Sequence, residues 1–121
     1  MKRLLSIAAL LAVAAPGFAA DTPKQVTFSK DVAPIFQKKC QECHQPNSIA
    51  PMSLITYQEA RQWARSIKER VATRQMLPWH IDLTVVVQHL KNDMSLTDDP
   101  VDLIVRRADA GRPQGQPRGG P

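Results

Sequence analysis

The feature that most constrains this chain is the run Cys-Gln-Glu-Cys-His at residues 40–44. Cys-x-x-Cys-His is the pattern by which haem of the c type is attached to a polypeptide. Each thiol adds across a vinyl group to form a thioether, and the adjacent histidine supplies an axial nitrogen to the iron. Cys40 and Cys43 are the two cysteines of the chain, so attachment would consume both. The sequence therefore predicts one covalent haem c, held by Cys40, Cys43 and His44.

Other uses of a Cys-x-x-Cys pair fit the surrounding sequence less well. A thioredoxin-like dithiol is expected beside a βαβ pattern, and none surrounds residues 40–44. A structural zinc site usually takes four nitrogen or sulfur ligands at recognisable spacing. No second cysteine pair follows, and the next histidines after His44 are His80 and His89. We therefore favour haem attachment over a dithiol, a disulfide or a zinc site.

Residues 1–20 have the pattern of a secretory signal peptide. Two basic residues precede an apolar stretch over 4–15, and small residues follow up to Ala19 and Ala20. Cleavage is expected after Ala19 or Ala20, and the first choice better fits the preference for a small residue at the −3 position. Uncut, the apolar stretch would act as a tether, but it is short for a bilayer span. Because haem of this kind is attached in the bacterial periplasm, the signal and the motif together predict a periplasmic protein.

The chain after residue 20 is long enough for one small domain. Removal of the signal leaves 14 basic against 11 acidic side chains. Much of the basic charge is spaced along one predicted helix, which is typical of a solvated helix face rather than a nucleic-acid surface. No later segment is apolar enough to cross a membrane. We expect a monomer with no nucleic-acid partner and no membrane span after signal cleavage.

Hydrophobic periodicity predicts an all-α domain at 21–111 with three to four helices. Asp31 is the predicted N-cap of a short helix running into Cys40, with one apolar face made by Val32, Ile35 and Phe36. A Thr-x-x-Glu capping box at Thr56 predicts a second helix from Tyr57 to about Thr73. Its buried positions are predicted to be Ala60, Ala64, Ile67 and Val71.

The last predicted helix begins after Thr97, the expected N-cap, and carries a hydrophobic staple between Leu96 and Val101. Gly111 is expected just past its end. Residues 112–121 are rich in Pro, Gly, Gln and Arg, which predicts a disordered tail or linker. Residues 75–95 are predicted to be a loop around the haem edge, although the valines at 85–87 would also suit a short strand.

The sixth ligand of the iron decides between electron transfer and ligand binding. Met76 is favoured, because it follows the long helix and precedes a proline, so the chain can return to the opposite haem face. Met52 lies only eight residues after His44, and a loop that short would be strained. The other downstream candidates are Met94, His80 and His89, and an open sixth site is the remaining alternative.

Three segments, at 26–35, 49–54 and 76–82, together resemble a bacterial subgroup of the class I cytochromes c. That subgroup often carries Met-Pro-Pro-Trp-His, where this chain has Met-Leu-Pro-Trp-His. The resemblance covers about residues 26–116 and implies a cytochrome c fold around one haem. It assigns Cys40 and Cys43 as the haem-bonding cysteines, His44 as the proximal ligand and Met76 as the distal ligand.

Two positions depart from the family pattern. Leu77 replaces the first proline of the loop, so the loop is expected to be less rigid. Arg107 stands where the family tends to have tryptophan, so the domain is expected to be less stable than its relatives. The resemblance implies one-electron transfer with redox partner proteins in the periplasm, and no enzyme activity. One alternative is an N-terminal electron-feeding module of a longer oxidoreductase, since modules of this subgroup occur there. Another is a haem ligand-binding or sensing domain with an open sixth site.

Overall fold

The computed structural model describes residues 23–76, 84, 91 and 93–117, which form helices and no strand. A π-helical turn, Phe28–Val32, continues into α1 (Ala33–Lys39). Helices α2 (Tyr57–Gln62), α3 (Ala64–Ala72) and α4 (Asp98–Asp109) follow. Both α3 and the π-helical turn pack against α4. The prediction of an all-α chain is confirmed for the described residues.

Several predicted features lie outside the described residues. These are the signal peptide at 1–20, the possible strand at 85–87, the loop residues Leu77, Pro78 and Trp79, and the two candidate ligands His80 and His89. Among the described helices, none is long and apolar enough to cross a membrane.

The N-terminal helix begins one turn earlier than the sequence predicts. Asp31, the predicted N-cap, lies inside the π-helical turn, where its carboxylate accepts a 2.7 Å hydrogen bond from the backbone N–H of Thr27. Thr27 has extended backbone and is the N-cap. Pro34 has no N–H to continue the hydrogen bonds of the π-helical turn, and the α-helix begins at the residue before it. The apolar face is as predicted, with Phe36 fully buried.

The single helix predicted from Tyr57 to about Thr73 is wrong, because the chain turns at Trp63 and divides it into α2 and α3. The Trp63 backbone has φ −96° and ψ 2°. Ala60 and Ala64 are buried on either side of this break, whereas Trp63 is 44% exposed. The break thus directs a large indole to solvent between two alanines that lie against the core.

The predicted helix caps are in place with one difference. The N–H of Glu59 donates to Thr56 Oγ1 (3.2 Å), and the N–H of Thr56 donates to the Glu59 carboxylate (2.8 Å), as a capping box requires. Thr97 is the N-cap of α4, but its side chain makes no capping hydrogen bond. Gly111 has φ +85°, and the next N–H reaches back to the carbonyl of Arg107 (3.0 Å). The C-cap is therefore the glycine type predicted.

One hydrophobic core joins the helices to the segments between them. Its buried side chains include all four positions predicted on the middle helix. Core burial of this kind contributes roughly 25 cal/mol per Å² of apolar surface removed from water. The buried core residues are Val26, Phe28, Val32, Phe36, Leu54, Ala60, Ala64, Ile67, Val71 and Ile104.

Arg107 occupies the position at which the resemblance expects tryptophan, and it is only 3% exposed. Its guanidinium carbon lies 5.0 Å from the ring centroid of Phe28 and 5.5 Å from that of Tyr57. Its Nε donates to the carbonyl of Pro113 (3.2 Å), and Nη2 donates to that of Arg112 (3.4 Å). Burial lowers the pKa of Arg107, but a guanidinium remains charged. A cation–π contact therefore replaces the expected aromatic packing.

The first residues of the predicted tail at 112–121 are bound to the start of the N-terminal helix. The N–H of Phe28 donates to Pro113 O (3.0 Å), and the N–H of Ser29 donates to Gln114 O (2.9 Å). First-turn N–H groups have no partner within their own helix, and here the tail carbonyls supply one. The two ends of the domain are thus joined by main-chain hydrogen bonds.

We expect Gly115→Ala to lower the free energy of unfolding more than Gly111→Ala. Both glycines have positive φ, and a side chain there costs about 1 kcal/mol. A Cβ at Gly115 would also lie 2.6 Å from the Cβ of Thr27, whereas a Cβ at Gly111 meets nothing within 4 Å. The overlap raises the cost at Gly115 to about 2 kcal/mol. Urea unfolding followed by circular dichroism measures both, and equal losses would contradict the tail contact.

Candidate functional site

The predicted attachment motif directly follows α1. The N–H of Cys40 donates to the carbonyl of Phe36 (2.9 Å) and continues the helical ladder. The N–H groups of Cys43 (3.2 Å) and His44 (2.9 Å) both donate to the carbonyl of Cys40. Both thiols are free and partly exposed. One hydrogen-bonded turn therefore brings the two cysteines and the histidine together.

The imidazole of His44 is held in one orientation and one tautomer. The residue is 7% exposed, and Nδ1 lies 3.1 Å from the carbonyl oxygen of Met52. A carbonyl oxygen can only accept, so Nδ1 carries the proton in this contact. In the neutral ring, Nε2 then has the free lone pair. A backbone carbonyl on Nδ1 is the usual support of a histidine that binds metal through Nε2.

The loop after His44 closes back onto the motif and so places the Met52 carbonyl. The N–H of Leu54 donates to His44 O (3.0 Å), and the N–H of Ala50 donates to Cys43 O (3.1 Å). The side-chain amide of Gln41 donates to Leu54 O (3.0 Å). These bonds leave the loop little freedom to swing away from the histidine ring.

Met76 lies four residues after α3 and is partly buried. Its N–H donates to the carbonyl of Arg70 (3.1 Å). The side chain packs against the same hydrophobic core as Cys40 and Met52. The structure thus joins Cys40, Cys43 and His44 in one turn and places Met76 against the core that Cys40 also contacts.

Burial raises the pKa of the Cys40 thiol to about 11, and the neighbouring Cys43 adds a smaller effect in the same direction. The thiol of Cys40 therefore stays protonated to a higher pH than an exposed cysteine does. Between pH 9 and 11 an unfolded chain would lose this proton first, so the unattached chain loses stability as the pH rises through that range.

The described residues offer no competing metal site. No group of three or more His, Cys, Asp or Glu side chains among them could hold a metal ion. A groove of about 320 Å³ lies between α1 and the start of α4, with Ile35 and Leu96 among its walls. None of the predicted site residues lines that groove.

No family model, curated protein or solved structure matches the chain. The resemblance to the class I cytochromes c accordingly rests on the motif segments of the sequence. The geometry of residues 40–54 is separate from that resemblance, since it rests on the hydrogen bonds described above.

The sequence did not indicate three residues that shape the site. The Met52 carbonyl is a main-chain group, and no side-chain pattern marks it. Gln41 stands between the cysteines, where the motif leaves the residue type open. Arg74 binds the start of α4 through its side chain, and its left-handed backbone is one that glycine or asparagine usually adopts.

In the chain made without haem attachment, we expect Cys40 to react with iodoacetamide far more slowly in native buffer than in concentrated urea. The raised pKa lowers the thiolate population about 100-fold at mildly alkaline pH, and the thiolate is the reactive form. Peptide mass spectrometry gives the rate at each cysteine. Equal rates for Cys40 in the two buffers would show that the fold does not raise the pKa of this partly exposed thiol.

Proposed function

We propose that this protein is a periplasmic c-type cytochrome that carries single electrons through a covalently bound, His/Met-ligated haem. The observation that carries the proposal is the hydrogen bond from His44 Nδ1 to the Met52 carbonyl. It leaves Nε2 as the coordinating nitrogen of a buried ring that directly follows two cysteines. A buried histidine needs a hydrogen bond to its ring N–H whatever its role; here that bond is on Nδ1 of the motif histidine, which is the arrangement that coordination through Nε2 requires.

The residues present fit the chemistry of a haem c. Cys40 and Cys43 are partly exposed thiols in one turn, as two thioether bonds to one macrocycle require. His44 would supply an axial nitrogen. When bound, the haem supplies an iron centre that alternates between ferrous and ferric states. The chain's part is to hold the axial groups, exclude water from them and present the group to redox partner proteins.

Met76 is the proposed second axial ligand, and the structure favours it over Met52. The Met52 carbonyl sits on Nδ1 of His44, which is the edge of the ring turned away from Nε2. If a haem were held through His44 Nε2, a second ligand would have to come from a part of the chain other than the loop that contacts Nδ1, and Met52 belongs to that loop. Met76 is carried by a separate segment of chain after α3. Thioether ligation raises the reduction potential relative to two histidines.

We expect Met76→Ala to abolish the weak long-wavelength absorption of a sulfur–ferric iron bond, lower the midpoint potential and allow the ferrous protein to bind carbon monoxide. The measurements are visible spectroscopy and a redox titration of the purified holoprotein. Met52→Ala and Met94→Ala are matched controls, since both remove a partly buried methionine.

Loss of the band in Met94→Ala and its survival in Met76→Ala would show that Met94 supplies the ligand. A wild-type protein that lacks the band and binds carbon monoxide would favour a ligand-binding or sensing haem domain over an electron carrier. The third possibility, an electron-feeding module of a longer oxidoreductase, keeps the Met76-dependent band and is distinguished by a reading frame that continues past Pro121 into a further domain.

A further inference from the structure

The end of α3 fixes the course of the chain into Met76. Arg74 has φ 58°, its N–H donates to Val71 O (3.1 Å), and the N–H of Gln75 donates to Arg70 O (2.9 Å). This pair of bonds is a Schellman motif with Arg74 at C′. The N–H of Met76 shares the Arg70 carbonyl (3.1 Å). Met76 therefore leaves the helix from a backbone turn with defined hydrogen bonds.

Arginine is an unusual choice at this position. Glycine, or sometimes asparagine, is preferred at C′ because a Cβ disfavours positive φ. The glycine-type cap at the end of α4 has Gly111. An arginine at C′ of α3 is therefore expected to have a function for its side chain that offsets the strained backbone.

The guanidinium of Arg74 connects this turn to the start of α4. Nη1 donates to the carbonyl of Leu96, and Nη2 donates to the Asp98 carboxylate, with which it also forms an ion pair. Leu96 packs against the same hydrophobic core as Met76. The planar guanidinium can hold two acceptors at once, which the single ammonium of a lysine does less well.

We propose that Arg74 is a positioning residue for Met76. Its backbone turn and its guanidinium contacts to Leu96 and Asp98 hold residues 74–76, the Met76 segment, against the start of α4, and so keep the thioether in place. This inference rests on the proposed function, in which Met76 is the second axial ligand. Without the contacts to α4, the segment would open more often while α3 itself stayed capped.

The variant that separates these roles is Arg74→Gly. Glycine suits the left-handed backbone, so a residue that only caps α3 can be replaced by it without loss. A residue that positions Met76 through its side chain cannot be replaced by glycine without loss, because glycine lacks the guanidinium contacts to Leu96 and Asp98. The control is Arg106→Gln, which removes an ion pair with Asp102 within α4 (3.3 Å) from an arginine as exposed as Arg74.

Two readouts on the holoprotein report the opening of the Met76 segment. In Arg74→Gly, the apparent affinity of the ferrous protein for carbon monoxide should rise about three- to tenfold, because it scales with the open fraction. The sulfur–iron band should also disappear at a lower temperature than the helical circular dichroism. In the wild type and in Arg106→Gln the two transitions should lie closer together.

Wild-type carbon monoxide affinity and wild-type melting of the band in Arg74→Gly would overturn the positioning role while leaving Met76 as the ligand. A wild-type protein without a band that depends on Met76 would remove the ligand assignment and this inference with it. The Met76→Ala spectrum tells these two failures apart.

Discussion

The hydrogen bond between His44 Nδ1 and the Met52 carbonyl is the contact on which the site depends. It requires a loop that returns to the ring, and that return is secured by main-chain bonds from Leu54 to His44 and from Ala50 to Cys43. The motif and its loop therefore form one unit, in which the turn after α1 supplies the cysteines and the loop fixes the tautomer. A change that opens the loop would release the ring as well.

The ends of the domain are joined by a separate set of contacts. Arg107 lies between Phe28 and Tyr57 and binds the carbonyls of Arg112 and Pro113. A buried cation without a carboxylate partner would normally be costly. Here two aromatic faces and two carbonyl oxygens compensate the charge. At the position where the resemblance expects tryptophan, this chain therefore has a buried arginine with its own set of contacts.

The sequence was most informative where one residue type has one physical role. The capping box at Thr56, the glycine cap at Gly111 and the buried positions of α3 each follow from local chemistry or periodicity. The cysteines and His44 follow from the motif, and the structure adds the hydrogen-bond partner of the ring. Membership of the cytochrome c fold, the haem itself and the role of Met76 stay predictions.

The features that the sequence did not predict depend on tertiary contacts or on backbone geometry. The break at Trp63 has no glycine or proline to mark it. The early helix start arises because Asp31 binds the N–H of Thr27 rather than capping the turn after it. The pairing of Phe28 with Pro113 joins residues far apart in the chain, and composition alone suggested a tail without structure.

The central proposal is that Cys40 and Cys43 hold a haem covalently, and the intact mass of the purified protein tests it most directly. The chain should be produced in a bacterium that carries the haem-ligation machinery, then denatured and extracted with acidified acetone. The account predicts that the pigment stays with the polypeptide and that the mass exceeds that of the processed chain by one haem. Pigment in the organic phase together with an unmodified mass would contradict it.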